Sequence, residues 1–565
     1  MFFDVVSESS TSRHSKPRAR RCALLLAAIV LMAATRAHAG WPSNGLVVGD
    51  SAVTRFQPTV ALASDGAHGT LSFANPWHQV TRVDPDGAPL WEVAPYVTSF
   101  PRGTALVPDG AGGVWVVHSA ATDVLAGHWD AAGIPFGGNI TVAHDANGTR
   151  FLATAFGDGA GGFFALWTDV PTAGEDDLRG AHVDATGTVT TPVAGTLLVG
   201  GAGAQVFAGA VADGQGGFVL MYPFGAGENL QRFGPALTPV WAASAARIQP
   251  PGAYGDFSLV ASGDGGVFVT WIDGPSTAGA VRLLRLDAGG VVYAGWPVDG
   301  VAVASPLIQP SAAQVSLDRT GGVLVAWIDQ HIAPGGLEPD LRVSRRLGDG
   351  SLASGWPALG ALAGSTGLPA LDARSALVAD GAGGCFIAWR GAGIAGLGVS
   401  VQHLSASGTP AAGWSATATL LGGAGFPSFT SPVLVSDDAG GAYAAWDEYR
   451  YPYLAHEGLN VMRLTRLLPG GVAGIDPPLP QRTALSLAVA NPALGRFTIS
   501  PMLPDERAAR LEMFDLAGRV EFRRDLQGAG PHVVTIGAGV ATPGVHWLRL
   551  SHPLGVRLAR VVVLR

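Results

Sequence analysis

Carboxylates recur in this sequence just after a tryptophan that ends an apolar run. They are Asp169, Asp273, Asp329 and Asp447, with Glu448 beside the last, and the aromatic residues Tyr449 and Tyr451 follow. Sugar or peptide ligands favour such surfaces, because rings stack on aromatic side chains while carboxylates accept hydrogen bonds from hydroxyl or amine groups. We treat these seven residues as candidate ligand-binding residues. The alternative is that the acids are solvated strand ends.

Catalysis by these acids is a second hypothesis. Glycoside hydrolysis needs two carboxylates facing each other across a cleft, and Asp329 with Asp447 is a conceivable pair, with His331 nearby. The sequence contains no His-Glu-x-x-His and no Gly-x-Ser-x-Gly motif, and Cys385 follows a glycine at a strand position typical of an inert buried thiol. We therefore assign no catalytic residue, no metal site and no cofactor.

Composition excludes several further chemistries. Lys16 is the only lysine, and it lies in the segment predicted below to be removed, so the mature chain has no amine for a Schiff base or a phosphate-binding loop. Gly and Pro contribute 80 and 39 residues, and only 14% of residues are charged. So many glycines and prolines, with 48% hydrophobic residues, indicate a large all-β protein with many tight turns.

A pentapeptide close to Asp-Gly-x-Gly-Gly recurs eight times and sets the period of the chain. Its copies are 65–69, 109–113, 158–162, 213–217, 262–266, 318–322, 380–384 and 437–441. Each copy lies between two short apolar runs, and a second hairpin ending in Gly-Trp-Pro follows in the clearest units, as at 295–297 and 355–357. Two hairpins per unit give four strands, which is one blade of a β-propeller.

The ends of the repeat region predict how it closes. The eighth unit lacks its Gly-Trp-Pro strand, whereas the chain has Gly40-Trp41-Pro42 followed by an apolar run before the first unit. We therefore expect residues 46–48 to pair with the last unit and to remove the free edges of the ring. The predicted fold is an all-β, eight-bladed β-propeller over residues 40–476, with seven blades as the alternative because the first unit is short. The repeats resemble Trp-rich, propeller-like repeats of large exported bacterial proteins, a resemblance that supports the fold and implies no single activity.

The N-terminus has the pattern of a secretory signal peptide. Three arginines, Arg18, Arg20 and Arg21, precede a short apolar run that ends in Ala37-His38-Ala39. Cleavage after Ala39 leaves an acidic chain, so we expect no nucleic-acid partner. Residues 1–39 are thus predicted to be a cleaved signal peptide, and an uncleaved anchor is the alternative.

Residues 477–482 are rich in proline and predict a stiff linker to a small β-sandwich over 483–565. This segment resembles the C-terminal sorting domain of type IX secretion and is similar to the immunoglobulin-like domain of flagellar hook-capping proteins. The matching motif residues are Asn491, Pro492, Gly495, Asp515, Gly518, Arg519 and Gly544. The resemblance implies recognition by secretion machinery and release at, or attachment to, the outer-membrane surface. A structural cap without a sorting role is the alternative.

These features predict a secreted or cell-surface scaffold that binds a polysaccharide or a protein. A carbohydrate-active hydrolase or lyase that uses carboxylates on the propeller face is the second hypothesis. A purely structural surface protein is the third. The sequence decides neither the ligand nor the oligomeric state.

Overall fold

The structure is a computed structural model. Described residues are 41–42, 45–51, 59–75, 79–94, 103–146, 148–171, 175–201, 203, 205–224, 227–242, 247–248, 254–274, 279–333, 336–365, 375–393, 396–416, 418–421, 431–450, 459–473, 486–489, 493–494, 497–503, 507–528, 530–537, 539–553 and 555–564. The predicted signal peptide 1–39 and the predicted linker 477–482 lie outside them.

The described chain consists of strands and turns and divides into two compact units between residues 474 and 475. The strands of unit 1 are β1 (Leu46–Ser51), β2 (Thr59–Ser64), β3 (Thr70–Asn75), β4 (Gln79–Val83), β5 (Pro89–Val93), β6 (Thr104–Pro108), β7 (Val114–Ala120), β8 (Asp123–Trp129), β9 (Ile140–His144), β10 (Gly148–Gly157), β11 (Phe163–Pro171), β12 (Asp177–Val183), β13 (Thr196–Val199), β14 (Gly209–Ala212), β15 (Phe218–Phe224), β16 (Gly227–Phe233), β17 (Arg247–Ile248), β18 (Tyr254–Ala261), β19 (Val267–Asp273), β20 (Gly279–Leu286), β21 (Val301–Leu307), β22 (Ser311–Leu317), β23 (Val323–Ala333), β24 (Gly336–Arg346), β25 (Ala361–Ser365), β26 (Ser375–Ala379), β27 (Cys385–Gly393), β28 (Gly396–Leu404), β29 (Thr419–Leu421), β30 (Val433–Ser436), β31 (Ala442–Arg450), β32 (Leu459–Leu468) and β33 (Gly471–Val472). Unit 2 contains β34 (Ser486–Val489), β35 (Ala493–Leu494), β36 (Phe497–Leu503), β37 (Ala509–Phe514), β38 (Val520–Leu526), β39 (Gly530–Pro531), β40 (Val534–Ile536), β41 (Gly544–His552) and β42 (Gly555–Leu564).

The described strands of unit 1 form antiparallel sheets, which we number in chain order. Sheets 1 to 7 are β2–β5, β6–β9, β10–β13, β14–β17, β18–β21, β22–β25 and β26–β29, and sheet 8 contains β30, β31, β32 and β1, with the short β33 beside β32. In sheets 1 to 7 the four strands pair in chain order, as successive hairpins do. This is the strand order of β-propeller blades, so the predicted all-β, propeller-like fold is confirmed at this level.

The first hairpin of each sheet depends on its Asp-Gly-x-Gly-Gly turn. In sheet 4, the Asp213 carboxylate accepts the backbone N–H groups of Gln215 and Gly217, at 2.7 and 2.9 Å. A Cβ atom at Gly217 would lie 2.2 Å from the carbonyl oxygen of Phe233 on β16. The last glycine is therefore required because the third strand passes directly over the turn.

Apolar side chains on both faces of the sheets pack against the neighbouring sheets. Every residue of β19 is buried, and Trp271 on this strand shares a core cluster with Val219 and Met221 of sheet 4. Similar clusters join the other neighbouring sheets. Burial on both faces explains why the strands read as nearly continuous apolar runs.

The contacts between sheets run in a closed circle. The first strand of each sheet contacts the first strand of the next, from β2 and β6 through β26 and β30, and β30 contacts β2. One further cluster contains Val83 of sheet 1 together with Tyr443 and Met462 of sheet 8. The last sheet of unit 1 thus packs against the first.

The N-terminal strand lies in sheet 8. Strand β1 pairs antiparallel with β32, with Leu46 opposite Leu464 and Asp50 opposite Val461, which is the pairing that the sequence predicts. Just before β1, the indole N–H of Trp41 donates a hydrogen bond to the carbonyl oxygen of Pro85 in sheet 1, at 3.0 Å. The N-terminal segment therefore belongs to the last sheet and is bonded to the first.

Unit 2 is a β-sandwich with a single core among its described residues. One sheet contains β34, β36, β39 and β40, and the other has the order β35-β42-β41-β37-β38. Ile499 and Ile536 from the first sheet pack in one cluster with Leu511, Leu548 and Val561 from the second. The two sheets therefore bury their facing sides against each other.

Loss of the Trp41 side chain should weaken ring closure more than loss of an exposed aromatic ring. We expect Trp41→Ala to lower the free energy of unfolding by about 3 to 5 kcal/mol, because it removes a buried indole, and Trp41→Phe to lower it by about 1 kcal/mol, because it removes one hydrogen bond. Urea unfolding of the mature chain measures both. Phe136→Ala, at a side chain that is 72% exposed, is the control. Equal urea midpoints for Trp41→Ala and the control would contradict a closing role for this residue.

Candidate functional site

Repeated carboxylates occupy both ends of the sheets in unit 1. One set lies in the Asp-Gly-x-Gly-Gly turns between the first and second strands. The other set lies at the opposite end, where the second strand leads into the third, and it contains the acids proposed from the sequence as ligand-binding residues. The two sets have different ion-pair partners.

Each turn carboxylate of the first set contacts a cationic side chain or a histidine on the third strand of its own sheet. The pairs are Asp65–Arg82 (3.0 Å), Asp109–His128 (2.9 Å), Asp158–His182 (3.0 Å), Asp213–Arg232 (2.7 Å), Asp264–Arg285 (3.0 Å), Asp318–Arg345 (2.8 Å), Asp380–His403 (3.0 Å) and Asp437–Arg466 (2.7 Å). Several of these cations then reach the next sheet. Arg82 donates to the carbonyl oxygen of Ala131 at 2.8 Å, and Arg466 donates to that of Pro85 at 3.1 Å.

These contacts favour the ionised form of the turn carboxylates Asp318 and Asp380. Burial alone would raise the pKa of Asp318, but hydrogen bonds from Arg345 and from the N–H groups of Thr320 and Gly322 outweigh it and lower the pKa. His403 and two turn N–H groups do the same for the pKa of Asp380 against the effect of burial. The turn carboxylates thus cap their loops by accepting backbone N–H groups. Within the described residues, no three His, Cys, Asp or Glu side chains are grouped as metal ligands.

In sheets 3 and 5, the proposed ligand-binding acids are buried in ion pairs. Asp169 lies 3.0 Å from Arg179 and 3.3 Å from Arg150, whose side chain is fully buried. Asp273 pairs with Arg282 on the neighbouring strand at 2.5 Å. Arg179 stands opposite Trp167, and Arg282 stands opposite Trp271, the tryptophans of the two repeats. These acids are therefore neutralised within their own sheets.

Of the predicted residues in sheet 8, the acids are buried, and the tyrosine side chains are not described. Glu448 is buried and pairs with Arg463 at 2.8 Å, and Asp447 is fully buried. The backbone of Tyr449 belongs to β31, but its side chain is not described, and Tyr451 lies outside the described residues. The expected surface of carboxylates and aromatic rings is thus described only for its acids, and these are buried.

Among the predicted acids, Asp329 in sheet 6 lies beside a second carboxylate. Its register partner across the hairpin is Asp340, so two carboxylates stand directly opposite each other. Arg342 lies 2.9 Å from Asp340 and 3.9 Å from Asp329. Burial raises the pKa of Asp329, and the Asp340 charge adds to this, although the Ile308 N–H and Arg342 oppose it. Asp329 therefore keeps its proton more readily, and it lies beside Asp340, which is paired with a cation. A pair of this kind is an arrangement suited to general acid–base chemistry.

The structure places Asp329 beside Asp340, whereas the sequence suggested Asp447 as its partner. Asp447 belongs to sheet 8 and Asp329 to sheet 6. Asp340 was missed because it lies before an arginine, whereas the predicted acids were chosen for following a tryptophan. The hairpin register could have revealed it, because counting outward from the Trp327–Arg342 pair places Asp340 opposite Asp329. His331 belongs to β23, and its side chain is not described. Cys385 is fully buried, and burial raises the pKa of its thiol.

A second acid missed by sequence reasoning is Glu228 at the start of β16. Its side chain is 9% exposed, one carboxylate oxygen has no hydrogen-bond partner, and burial raises its pKa to about 7. The corresponding positions in sheets 3, 5, 6 and 8, each preceding the arginine opposite the tryptophan, are apolar and buried. They are Leu178, Val281, Leu341 and Met462. Glu228 is therefore a carboxyl group at a core position, without the arginine that neutralises its neighbours' acids.

The residues that carry the sorting-domain resemblance form, where they are described, a turn and a strand start in unit 2. The Asp515 carboxylate accepts the backbone N–H of Arg519 at 2.8 Å and pairs with its guanidinium at 2.8 Å, and Gly518 has φ +79°. Gly544 begins β41. Asn491, Pro492 and Gly495 lie outside the described residues. The described part of the motif thus makes the β37–β38 hairpin, a structural role.

Comparisons with known proteins give structural likenesses only. No protein-family model matches the chain, and no curated protein matches it. Similar solved structures include a polysaccharide lyase that acts on ulvan, with 10% identity, TM-score 0.35, and coverage of 64% of this chain and 91% of that one. A dihydro-heme d1 dehydrogenase has 14% identity and TM-score 0.38, with 74% and 78% covered. A puromycin hydrolase has 14% identity and TM-score 0.34, with 72% and 59% covered. At these values the likenesses support no inference about activity.

No helix within the described residues is long and apolar enough to cross a membrane.

Glu228 should make the stability of the chain fall as its carboxyl group ionises. The folded state holds the proton up to about pH 7, whereas the unfolded chain releases it near the ordinary value of 4.5. The contribution of Glu228 is therefore most favourable below pH 4.5, and it is lost as the pH rises to about 7. We expect Glu228→Gln to exceed the wild-type free energy of unfolding by roughly 2 to 4 kcal/mol at about pH 8, with the difference shrinking toward pH 4. Urea unfolding at a series of pH values measures this.

A matched control for this prediction is Glu448→Gln, at a buried acid that has an arginine partner. It should destabilise the chain at about pH 8, because Arg463 loses its partner. A Glu228→Gln variant that behaves like Glu448→Gln would show that the Glu228 carboxylate is compensated after all.

Proposed function

We propose that the protein is an exported, eight-bladed β-propeller followed by an immunoglobulin-like sandwich, and that it acts as a binding or adhesion scaffold. The circular succession of sheet contacts and the pairing of β1 with β32 support the eight-bladed ring. The packing of two sheets around one core supports the sandwich. The ligand is a polysaccharide or a protein.

The observation that carries the binding role is the contrast between the first turn of each sheet, which has a constant length, and the connections between sheets, which do not. The connection from the first to the second strand has five residues in every sheet of unit 1, from 65–69 to 437–441. At the other end, the connection from one sheet to the next varies from three residues, 145–147, to eleven, 422–432. Capped turns of constant length within the sheets and connections of unequal length between the sheets are typical of a rigid scaffold that presents variable binding loops.

Export rests on two proposals from the sequence. Residues 1–39 act as a cleaved signal peptide, and residues 483–565 act as a sorting domain that secretion machinery recognises at the outer membrane. Mass spectrometry of the secreted protein measures both ends. We expect an N-terminus at Gly40, and a chain that either retains or has lost the segment from about 483. A protein retained in the cell when Gly518–Arg519 are deleted supports the sorting role, and unchanged secretion contradicts it.

A carbohydrate-active hydrolase or lyase is the second candidate, favoured by one specific observation. Asp329 and Asp340 face each other with the pKa of Asp329 raised and Asp340 paired with Arg342. A carboxyl group with a raised pKa beside a second carboxylate is the minimum that such chemistry requires. A purely structural surface protein is the third candidate.

Binding should depend on the aromatic residues that follow β31. We expect the secreted protein to be retained on an array of polysaccharides and cell-envelope proteins, and Tyr451→Ala to weaken that retention about tenfold because a stacking ring is lost. Thr186→Ala, in a turn at the opposite end of sheet 3, is the control. If the protein is retained on no component of the array, the structural candidate is favoured. Release of new reducing ends that stops in Asp329→Asn would instead favour the enzyme.

A further inference from the structure

The outer side of the five-stranded sheet in unit 2 is unusually apolar and cationic. Along β41, Leu548 and Leu550 point into the sandwich core, so Trp547 and Arg549 point outward. Trp547 is 45% exposed, and Leu558 on the neighbouring β42 is 64% exposed. The other sheet of the sandwich instead presents Thr498 opposite Thr535, both exposed, which is an ordinary solvated face.

The exposed side chains form rows across neighbouring strands. In the first row Phe514 stands opposite Trp547, and Trp547 stands opposite Arg560. The second row contains Glu512, Arg549 and Leu558. Neighbouring strands are about 4.8 Å apart, so each row places an aromatic ring, an aliphatic group or a guanidinium at this interval.

The rows carry an excess of positive charge. Arg523 and Arg549 both pair with the single carboxylate of Glu512, at 2.9 and 2.6 Å. The guanidinium of Arg549 also lies over the ring of Phe514, 4.8 Å from its centroid. Arg560 is exposed beside Trp547, and no described acid forms an ion pair with it. Two aromatic rings and three arginines are therefore balanced by one acid.

The rows lead to a groove at one end of the same sheet. The groove has a volume of about 540 Å³, and its lining includes Gln527, Ser551 and His552 together with Arg510 and Asp525, which form an ion pair at 2.8 Å. Arg510 and Ser551 are register partners four residues along the strands from the row of Trp547. This places the groove about 14 Å from the aromatic row, at about 3.4 Å per residue. Rows and groove together form a continuous track.

We propose that this track, defined by Phe514, Trp547, Arg549, Arg560 and the groove at Arg510, binds an anionic polysaccharide. Aromatic faces stack on the C–H surfaces of sugar rings, and arginine forks bind carboxylate or sulfate groups through two parallel hydrogen bonds. A repeating anionic chain matches a surface on which such groups recur at short intervals. The site lies on unit 2 and goes beyond the binding proposed for the loops of unit 1.

The experiment is affinity electrophoresis of the full secreted chain in native gels. The gels contain sodium polygalacturonate, chondroitin sulfate or neutral dextran. We expect retardation by at least one of the two polyanions, none by dextran, and weaker retardation as salt is added. Trp547→Ala and Arg560→Ala should each weaken binding about tenfold, and Trp547→Tyr should restore most of it.

The control variant changes an arginine that lies outside the rows. Arg319→Ala removes an arginine that is 45% exposed, from a turn of unit 1 outside the rows, and should leave the retardation unchanged. Trp547 and Arg560 are exposed, so thermal melts of their variants should match the wild type. No retardation by either polyanion overturns the proposal. Retardation that survives both variants but is lost in Tyr451→Ala assigns the binding to unit 1, and it overturns this site while supporting the scaffold. A salt-sensitive dimer that either variant abolishes, without polyanion binding, makes the face a protein interface and overturns the proposal.

Discussion

The ring of unit 1 depends on one repeated interaction, in which a backbone carbonyl of one sheet accepts hydrogen bonds from two side chains of the preceding sheet. The carbonyl oxygen of Ala131 accepts from Arg82 and from the indole of Trp91, at 2.8 and 3.0 Å. That of Pro85 accepts from Arg466 and Trp41, and Ala288, Gly348 and Pro469 serve in the same way. Hydrophobic packing has no direction, whereas these bonds determine which turn lies against which tryptophan.

The same interaction explains why the turn carboxylates are present in almost every repeat. A guanidinium that donates to a carbonyl in the next sheet remains a charge at a partly buried site, and such a charge is costly without a counter-ion. Asp213 and Asp437 supply the counter-ion while capping their own turns. The glycine of the receiving turn is equally constrained. A Cβ atom at Gly290 would lie 2.6 Å from the indole of Trp241, so the tryptophan can approach only a glycine.

The sequence predicted the parts of this arrangement that recur in local patterns. The spacing of the pentapeptides and the displaced Trp41 strand were sufficient for the all-β fold and for the pairing of β1 with β32, because hairpin turns and strand partners leave periodic residues. The partners of the carboxylates were not predicted. His128 and Arg232 stand on the third strand, and only strand register shows that they meet Asp109 and Asp213. Glu228 differs from exposed acids only by its burial, and burial depends on the neighbouring sheet.

Trp and Arg have opposite uses in the two units, and the difference comes from what surrounds them. In unit 1, Trp271 is buried against sheet 4 and Arg282 opposite it has Asp273 as its acid, so both groups have structural partners. In unit 2, Trp547 also stands opposite an arginine, Arg560, but both are exposed and no described acid forms an ion pair with that arginine. The same cross-strand pair is thus a structural element where a neighbouring sheet covers it. It is a surface for recognition where its own core lies on the other side.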